Sequence, residues 1–240
     1  MKSWRKLVYN IPWMYEDMME REHVLIGGTT GAGKSTALQG FIMGVLKNAP
    51  SEAQLMLIDP KGTELMEYEL LPHTIGYAYE IADINDLLLK AERIRETRFQ
   101  DMRKKRLKKY DGSHIYIVID EYAALGGKYG EASKEAMKAL NKIAFLGRAA
   151  NIHIIACTQR PTSDVIEGLI KNNFTTTLAL RTNTNQESRN LISIGACENL
   201  PTYGKAYYRT PSKKDLQLVE VPLVPETLYN QVIANWMNQR

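Results

Sequence analysis

The sequence predicts an α/β fold, a mostly parallel central sheet with helices on both faces. Three observations predict it. Short apolar runs alternate with longer segments of helical periodicity, the rhythm of repeated strand–helix units. Several of those runs are apolar at nearly every position, as parallel strands covered on both sides are. The first run also passes through a glycine-rich loop directly into a helical segment.

The first strand is His23-Val24-Leu25-Ile26, ending at Gly27-Gly28, and a helix from near Lys34 stops before Pro50. Gln54-Leu55-Met56-Leu57-Ile58 is the second strand, closed by Asp59-Pro60, and Ile75–Tyr79 is a weaker third. A long helix begins near Asp83, with Asp83 or Asn85 as its cap. Ile84, Leu87, Leu88, Ala91 and Ile94 supply its apolar stripe. His114–Ile119 is a fourth, almost wholly apolar strand. A glycine-rich connection over 126–130 leads to a helix over 131–147, then to the strand Ile152–Cys157. A helix over 163–172, a strand over Thr176–Arg181 and a helix over 185–193 follow. Tyr203–Val224 reads as two short strands around Pro211-Ser212-Lys213, and an amphipathic helix fills 225–238. No Pro/Gly/Ser-rich linker divides the chain. Residues 1–240 are therefore expected to form one domain, with 1–22 as lead-in and 203–240 as terminal strands and helix.

Composition narrows the function. The chain has 240 residues, 44% of them apolar, enough for a sizeable core and unlike a disordered or collagenous chain. Its two cysteines exclude a cysteine-only zinc site and a disulfide framework. Cys157 lies in an apolar run and reads as a core residue, and a reduced, cytoplasmic setting is expected. No run approaches the roughly 18 apolar residues of a membrane span, and no signal-peptide core follows the N-terminus. A membrane role would need a partner to hold the chain there. The net charge is only +4, but residues 90–110 alone carry +7, so the rest of the chain is slightly acidic.

The chemistry starts at Gly28-Thr29-Thr30-Gly31-Ala32-Gly33-Lys34-Ser35, a full match to G-x-x-x-x-G-K-[ST] between a strand and a helix. Glycines permit backbone angles closed to other residues, so that N–H groups converge on phosphate oxygens at a helix N-terminus. The loop and the following Thr36 are the expected ATP contacts. Lys34 reaches the β- and γ-phosphates and Ser35 binds Mg²⁺. The strand Ile115–Ile119 runs into Asp120-Glu121. Asp120 is expected to hold Mg²⁺, and Glu121 to orient or deprotonate the attacking water. Gln159, in Cys157-Thr158-Gln159-Arg160-Pro161, ends the next strand, where it can touch the γ-phosphate or its water or be a plain loop amide.

From about His23 to Tyr208 these residues resemble the motor domain of the FtsK/SpoIIIE family of DNA translocases, within the FtsK–HerA group of ATPases. The likeness rests on the phosphate loop, Asp59-Pro60-Lys61, Ile119-Asp120-Glu121-Tyr122-Ala123 and Gly147-Arg148-Ala149-Ala150-Asn151-Ile152-His153. It continues through Thr158-Gln159-Arg160-Pro161, Asp164-Val165-Ile166, Gly168–Phe174 and Asn185-Gln186-Glu187-Ser188-Arg189. The resemblance implies a RecA-like P-loop NTPase fold, a hexameric homo-oligomer ring and double-stranded DNA in its pore. It also implies Arg148 as an arginine finger acting on a neighbour's γ-phosphate, and Arg160 and Lys171 as DNA-backbone contacts. Larger members carry a membrane region, a second motor subdomain and a winged helix, for which 240 residues leave no room.

Other features are weaker. The basic run Arg103–Lys109 reads as a DNA footprint or as a solvated helix face. The glycine connection at 126–130 reads as a mobile pore loop or an ordinary connector. His23, His73, His114 and His153 are dispersed and read as structural; Trp4, Trp13 and Trp236 read as packing for the terminal segments. The function expected is ATP-dependent translocation of double-stranded DNA. The alternatives are a protein-translocating ATPase of a secretion system and a non-hydrolysing ATP-binding module.

Overall fold

The computed structural model describes residues 23–126, 130–165, 173–211, 213–221 and 223–238. Among these, eight strands form one sheet: β1 (Val24–Gly27), β2 (Ala53–Ile58), β3 (Thr74–Ala78), β4 (His114–Ile119), β5 (Ile152–Thr158), β6 (Thr176–Ala179), β7 (Lys205–Thr210) and β8 (Lys213–Glu220). Their spatial order is β3-β2-β4-β5-β1-β6-β7-β8. Every pairing from β3 across to β6 is parallel, and β7 and β8 add an antiparallel hairpin at one edge. The helices are α1 (Lys34–Val45), α2 (Ile81–Lys105), α3 (Lys134–Leu146), α4 (Asn185–Ile192) and α5 (Glu226–Met237).

Both faces of the sheet are buried along β1, β2, β4 and β5, which is why those strands read as nearly continuous apolar runs. Alternate side chains separate by face, because successive residues of a strand point to opposite sides. Val24, Ile26, Leu55, Leu57, Tyr116, Val118, Ile155 and Cys157 pack against α1 and α5. Leu25, Met56, Ile58, Ile115, Ile117, Ile119, Ile154 and Ala156 pack against α2, α3 and α4. Trp236 ties the terminal helix to the end of α1, donating from Nε1 to Leu46 O at 3.0 Å. Its indole meets the His73 ring edge-on. Trp4 and Trp13 lie outside the described residues.

Two boundaries differ from the sequence reading. The long helix starts at Ile81 with Glu80 as its N-cap, not at Asp83 or Asn85. Asp83 sits in its first turn, where a carboxylate suits the helix dipole. Asn85 Oδ1 instead accepts the N–H of Ser133 at 2.9 Å. Ser133 in turn caps α3, its hydroxyl accepting from Ala136 N, which sets that helix start later than residue 131. Of the helix expected over 163–172, residues 166–172 lie outside the described residues.

The histidines are structural. His23, His73, His114 and His153 are all buried. His23 Nδ1 accepts Ile154 N–H at 2.9 Å, and burial lowers its pKa to about 4. His114 and His153 stack and share a hydrogen bond of 2.9 Å.

Candidate nucleotide and hydrolysis site

Parallel strands bring their C-terminal ends to one edge of the sheet, and the site is built there from three neighbours in space: β4, β5 and β1. The loop after β1 is fixed at its root. Gly28 N–H donates to Thr158 O at 3.3 Å and Thr29 N–H to Arg181 O at 2.8 Å. A Cβ on Gly28 would stand 2.8 Å from Leu180 Cβ, so this close approach requires glycine. Gly31 and Gly33 adopt φ of +77° and +97°, in the left-handed region. Gly33 caps α1 with no side-chain bond, and the first turn carries no acid. The N–H groups there are left for an anion.

Lys34 is 8% exposed. Its Nζ donates to Thr29 O at 2.7 Å, folding the ammonium back over the loop. Burial holds its pKa below the ordinary lysine value, while the Glu121 and Asp120 carboxylates pull the other way. Ser35 is exposed and Thr36 half-buried at the start of the helix.

Asp120 follows β4 directly and is 7% exposed. Its Oδ2 is buried and takes part in no hydrogen bond; Lys61 Nζ lies 3.9 Å away. Burial raises the Asp120 pKa to about 6. A buried carboxylate oxygen with no donor beside an anion loop is the environment a hard cation suits. Mg²⁺ at phosphate sites needs only one or two protein oxygens besides the phosphates. Asp120 and the Ser35 hydroxyl fit that demand.

Glu121 is held by main-chain donors. Its Oε1 accepts Ala123 N–H at 3.1 Å and its Oε2 accepts Gln159 N–H at 3.0 Å. The carboxylate therefore bridges the ends of β4 and β5. The Gln159 side chain extends the link, because Thr30 Oγ1 donates to its Oε1 at 2.9 Å. Gln159 thus joins the phosphate loop to Glu121.

The structure also supplies a support that the sequence reading gave no role. Asp59, fully buried, ends β2 and accepts four main-chain N–H groups, from Lys61, Gly62, Glu64 and Leu65, at 2.8–3.3 Å. These bonds set the turn that carries Lys61 over Asp120. The available signal was an acid at a strand end followed by Pro60 and Gly62, a turn composition. Asp59→Ala would leave three of those donors without their acceptor, since Gly62 N–H also donates to the Asp59 main-chain O at 2.9 Å, at about 1–3 kcal/mol for each one that stays buried. Urea unfolding is expected to show a loss of about 3 kcal/mol, with Asp59→Asn costing less.

The structure therefore brings together residues 28–36, Asp120, Glu121 and Gln159. Arg160 is exposed and lines an adjoining cleft of about 520 Å³ with Lys61, Glu80, Glu121 and Glu131. Lys171 lies outside the described residues, as do residues 127–129 of the glycine connection. Arg148 is not in this cluster. It sits in a 3₁₀ turn (Gly147–Ala150) at the opposite end of β5. Seven residues of strand intervene, roughly 20 Å at ~3.3 Å each.

Comparison with known proteins places this geometry. Residues 10–117 match the model of the FtsK/SpoIIIE family. The DNA translocase FtsK of Staphylococcus aureus (strain Mu50) is 34% identical over 210 residues, covering 79% of this chain and 26% of that protein. The chain thus spans about a quarter of the length of that curated relative. Among solved structures, the pCW3 conjugation coupling protein TcpA, in a monomer form with ATPγS, superposes with a TM-score of 0.77 at 24% identity. That match covers 91% of this chain and 66% of the other. EssC (ATPases 2 and 3) from Geobacillus thermodenitrificans gives a TM-score of 0.76 at 18% identity, covering 92% and 44%. Both show the same α/β fold with its mostly parallel sheet. With the loop, the two acids and the sheet order in place, the chain is an ATPase domain of the FtsK/SpoIIIE family.

Proposed function

We propose that this chain is one motor domain that hydrolyses ATP and couples the cycle to movement along double-stranded DNA, acting as a homo-oligomeric, hexameric ring. The observation that carries the hydrolytic part is the placement of Glu121. Its carboxylate is held by two main-chain donors, beside the buried Asp120 and linked through Gln159 to Thr30 of the loop. A pure binding module has no use for a second, positioned acid. Support for DNA as the track comes from the 34% identity to a protein named a DNA translocase.

In this reading the loop N–H groups of residues 28–36 cradle the phosphates of ATP, and Lys34 swings from Thr29 O to the β- and γ-oxygens. Ser35 and Asp120 would hold Mg²⁺, which when bound neutralises phosphate charge. Glu121 orients the attacking water and takes its proton. Gln159 is positioned to exchange its bond to Thr30 for one to the γ-phosphate or that water. Arg148 of a neighbouring copy supplies the cation for the transition state, since it stands at the far edge of its own sheet. Arg160, at the rim of the cleft, and Lys171 contact the DNA backbone. Among the described residues no helix is long and apolar enough to cross a membrane. The proposed setting is cytoplasmic, with a membrane role coming through a partner.

The test is an ATPase titration with duplex DNA, single-stranded DNA and no DNA, across protein concentration. Specific activity is expected to rise with concentration and further with long duplex. An arginine acting in trans is worth roughly 10³–10⁵ in rate, so dilute monomer should turn over slowly. Turnover indifferent to both variables would remove the motor reading. Stimulation by a polypeptide and not by DNA would mark a protein translocase.

A further inference from the structure

Helix α3 buries one side and leaves a second apolar stripe outside. Ala136, Leu140, Ile143 and Ala144 face the sheet. On the other side Met137, Phe145 and Leu146 line a groove of about 550 Å³. Phe145 is 65% exposed and Leu146 is exposed beside it. Asn141 lies between them in the groove, and its Oδ1 is buried and accepts no hydrogen bond among the described residues. A contiguous apolar stripe on a helix that already has a buried face marks a contact surface, and the amide oxygen leaves an acceptor for whatever covers it.

The groove is also charged. Lys134, Lys138 and Lys142 line it, and no acid does. Glu92 pairs with Lys142 at 3.2 Å, and exposed Glu135 stands on the helix outside the lining. Lys134 and Lys138 therefore carry its positive charge. An occupant that fits is apolar along one stripe and acidic along its margin.

The chain itself carries such a sequence next to the groove. β1 neighbours β5, and the buried His23 ring just ahead of β1 lies within reach of the Ala144 main chain, in the last turn of α3. Residues 11–22, which lead to His23, lie outside the described residues. In their sequence Met14, Tyr15, Met18 and Met19 recur at helical spacing. Glu16, Asp17, Glu20 and Glu22 stand against one base, Arg21, a net of −3. The groove runs along the thirteen residues of α3, roughly 20 Å at ~1.5 Å each. Twelve residues of chain can span up to roughly 40 Å, so reach is no obstacle.

We infer that residues 11–22 dock in the Lys134–Leu146 groove of their own chain. Direct attachment at His23 supplies an effective concentration of roughly millimolar order, so even a weak contact is occupied. A second copy offering the same face would set lysines against lysines. The basic run Arg103–Lys109 also attracts acids, but the groove adds the apolar surface that Met14, Tyr15, Met18 and Met19 require. Neither partner belongs to the nucleotide site, so the docking stands or falls apart from the ATPase reading.

Photocrosslinking of the full chain tests this, with p-benzoylphenylalanine in place of Phe145 and, in a second preparation, of Met137. Mixing 14N and 15N chains before irradiation lets mass spectrometry separate adducts within a chain from adducts between chains, and circular dichroism melts confirm folding. Adducts are expected on residues 11–22 of the same chain. K134E/K138E, and separately E16K/E20K, should each lower their yield about fivefold or more, since each reverses two pairs at an exposed margin, and added salt should lower it as well. The two pairs of changes combined should restore it. Four results from folded protein overturn the inference: no adduct from either position, adducts confined to other segments, adducts only between chains, and a yield that the charge reversals leave unchanged or the combination fails to restore.

Discussion

Lys34→Ala is expected to lower turnover by about two to three orders of magnitude, the loss typical when a preorganised donor to developing charge is removed, and to weaken ATP binding as well. The reason is local. Lys34 is the cation embedded in the loop, and its ammonium already lies 2.7 Å from Thr29 O. Burial has removed most of its water, so its exchange from a carbonyl to a phosphate needs little further desolvation. Alanine would leave the loop N–H groups but no full positive charge against the phosphates. Titration with a fluorescent ATP analogue and a phosphate-release assay would measure the two losses. A variant that folds and binds ATP as tightly as the wild type would remove Lys34 from its assigned role.

Glu121→Gln should separate binding from chemistry. The amide keeps the size of the side chain and one acceptor for Ala123 or Gln159 N–H, but it cannot take a proton from water. Loss of a general base typically costs about 10²–10⁴ in rate. ATP affinity should change only a few-fold, because Glu121 bonds to the main chain of β5 and to its own turn rather than to the loop. Single-turnover kinetics would show ATP bound and held. Wild-type turnover in this variant would show that Glu121 is only a brace between strand ends.

Strand positions were legible because burial on both faces writes itself into nearly every residue of β1, β2, β4 and β5. The phosphate loop was legible because its glycines and its Lys-Ser pair are local requirements. The helix boundaries were less so. Asp83 resembles a cap by type, but Ile81 begins the helix, with Glu80 in extended conformation before it. Asn85 bonds to Ser133, 48 residues away, a partner no local pattern announces. The role of Asp59 was hidden for a similar reason: an acid before proline looks like an ordinary turn until its four donors are counted in three dimensions. The place of Arg148 is a matter of topology. Reading along the chain puts it eleven residues from Gln159, yet β5 carries the two to opposite ends of the sheet.

Gln159 has a consequence beyond its position. Its side chain receives the Thr30 hydroxyl while its own amide nitrogen secures Glu121. The phosphate loop and the carboxylate at the end of β4 are thus joined through a single residue, the loop by its side chain and the acid by its main chain.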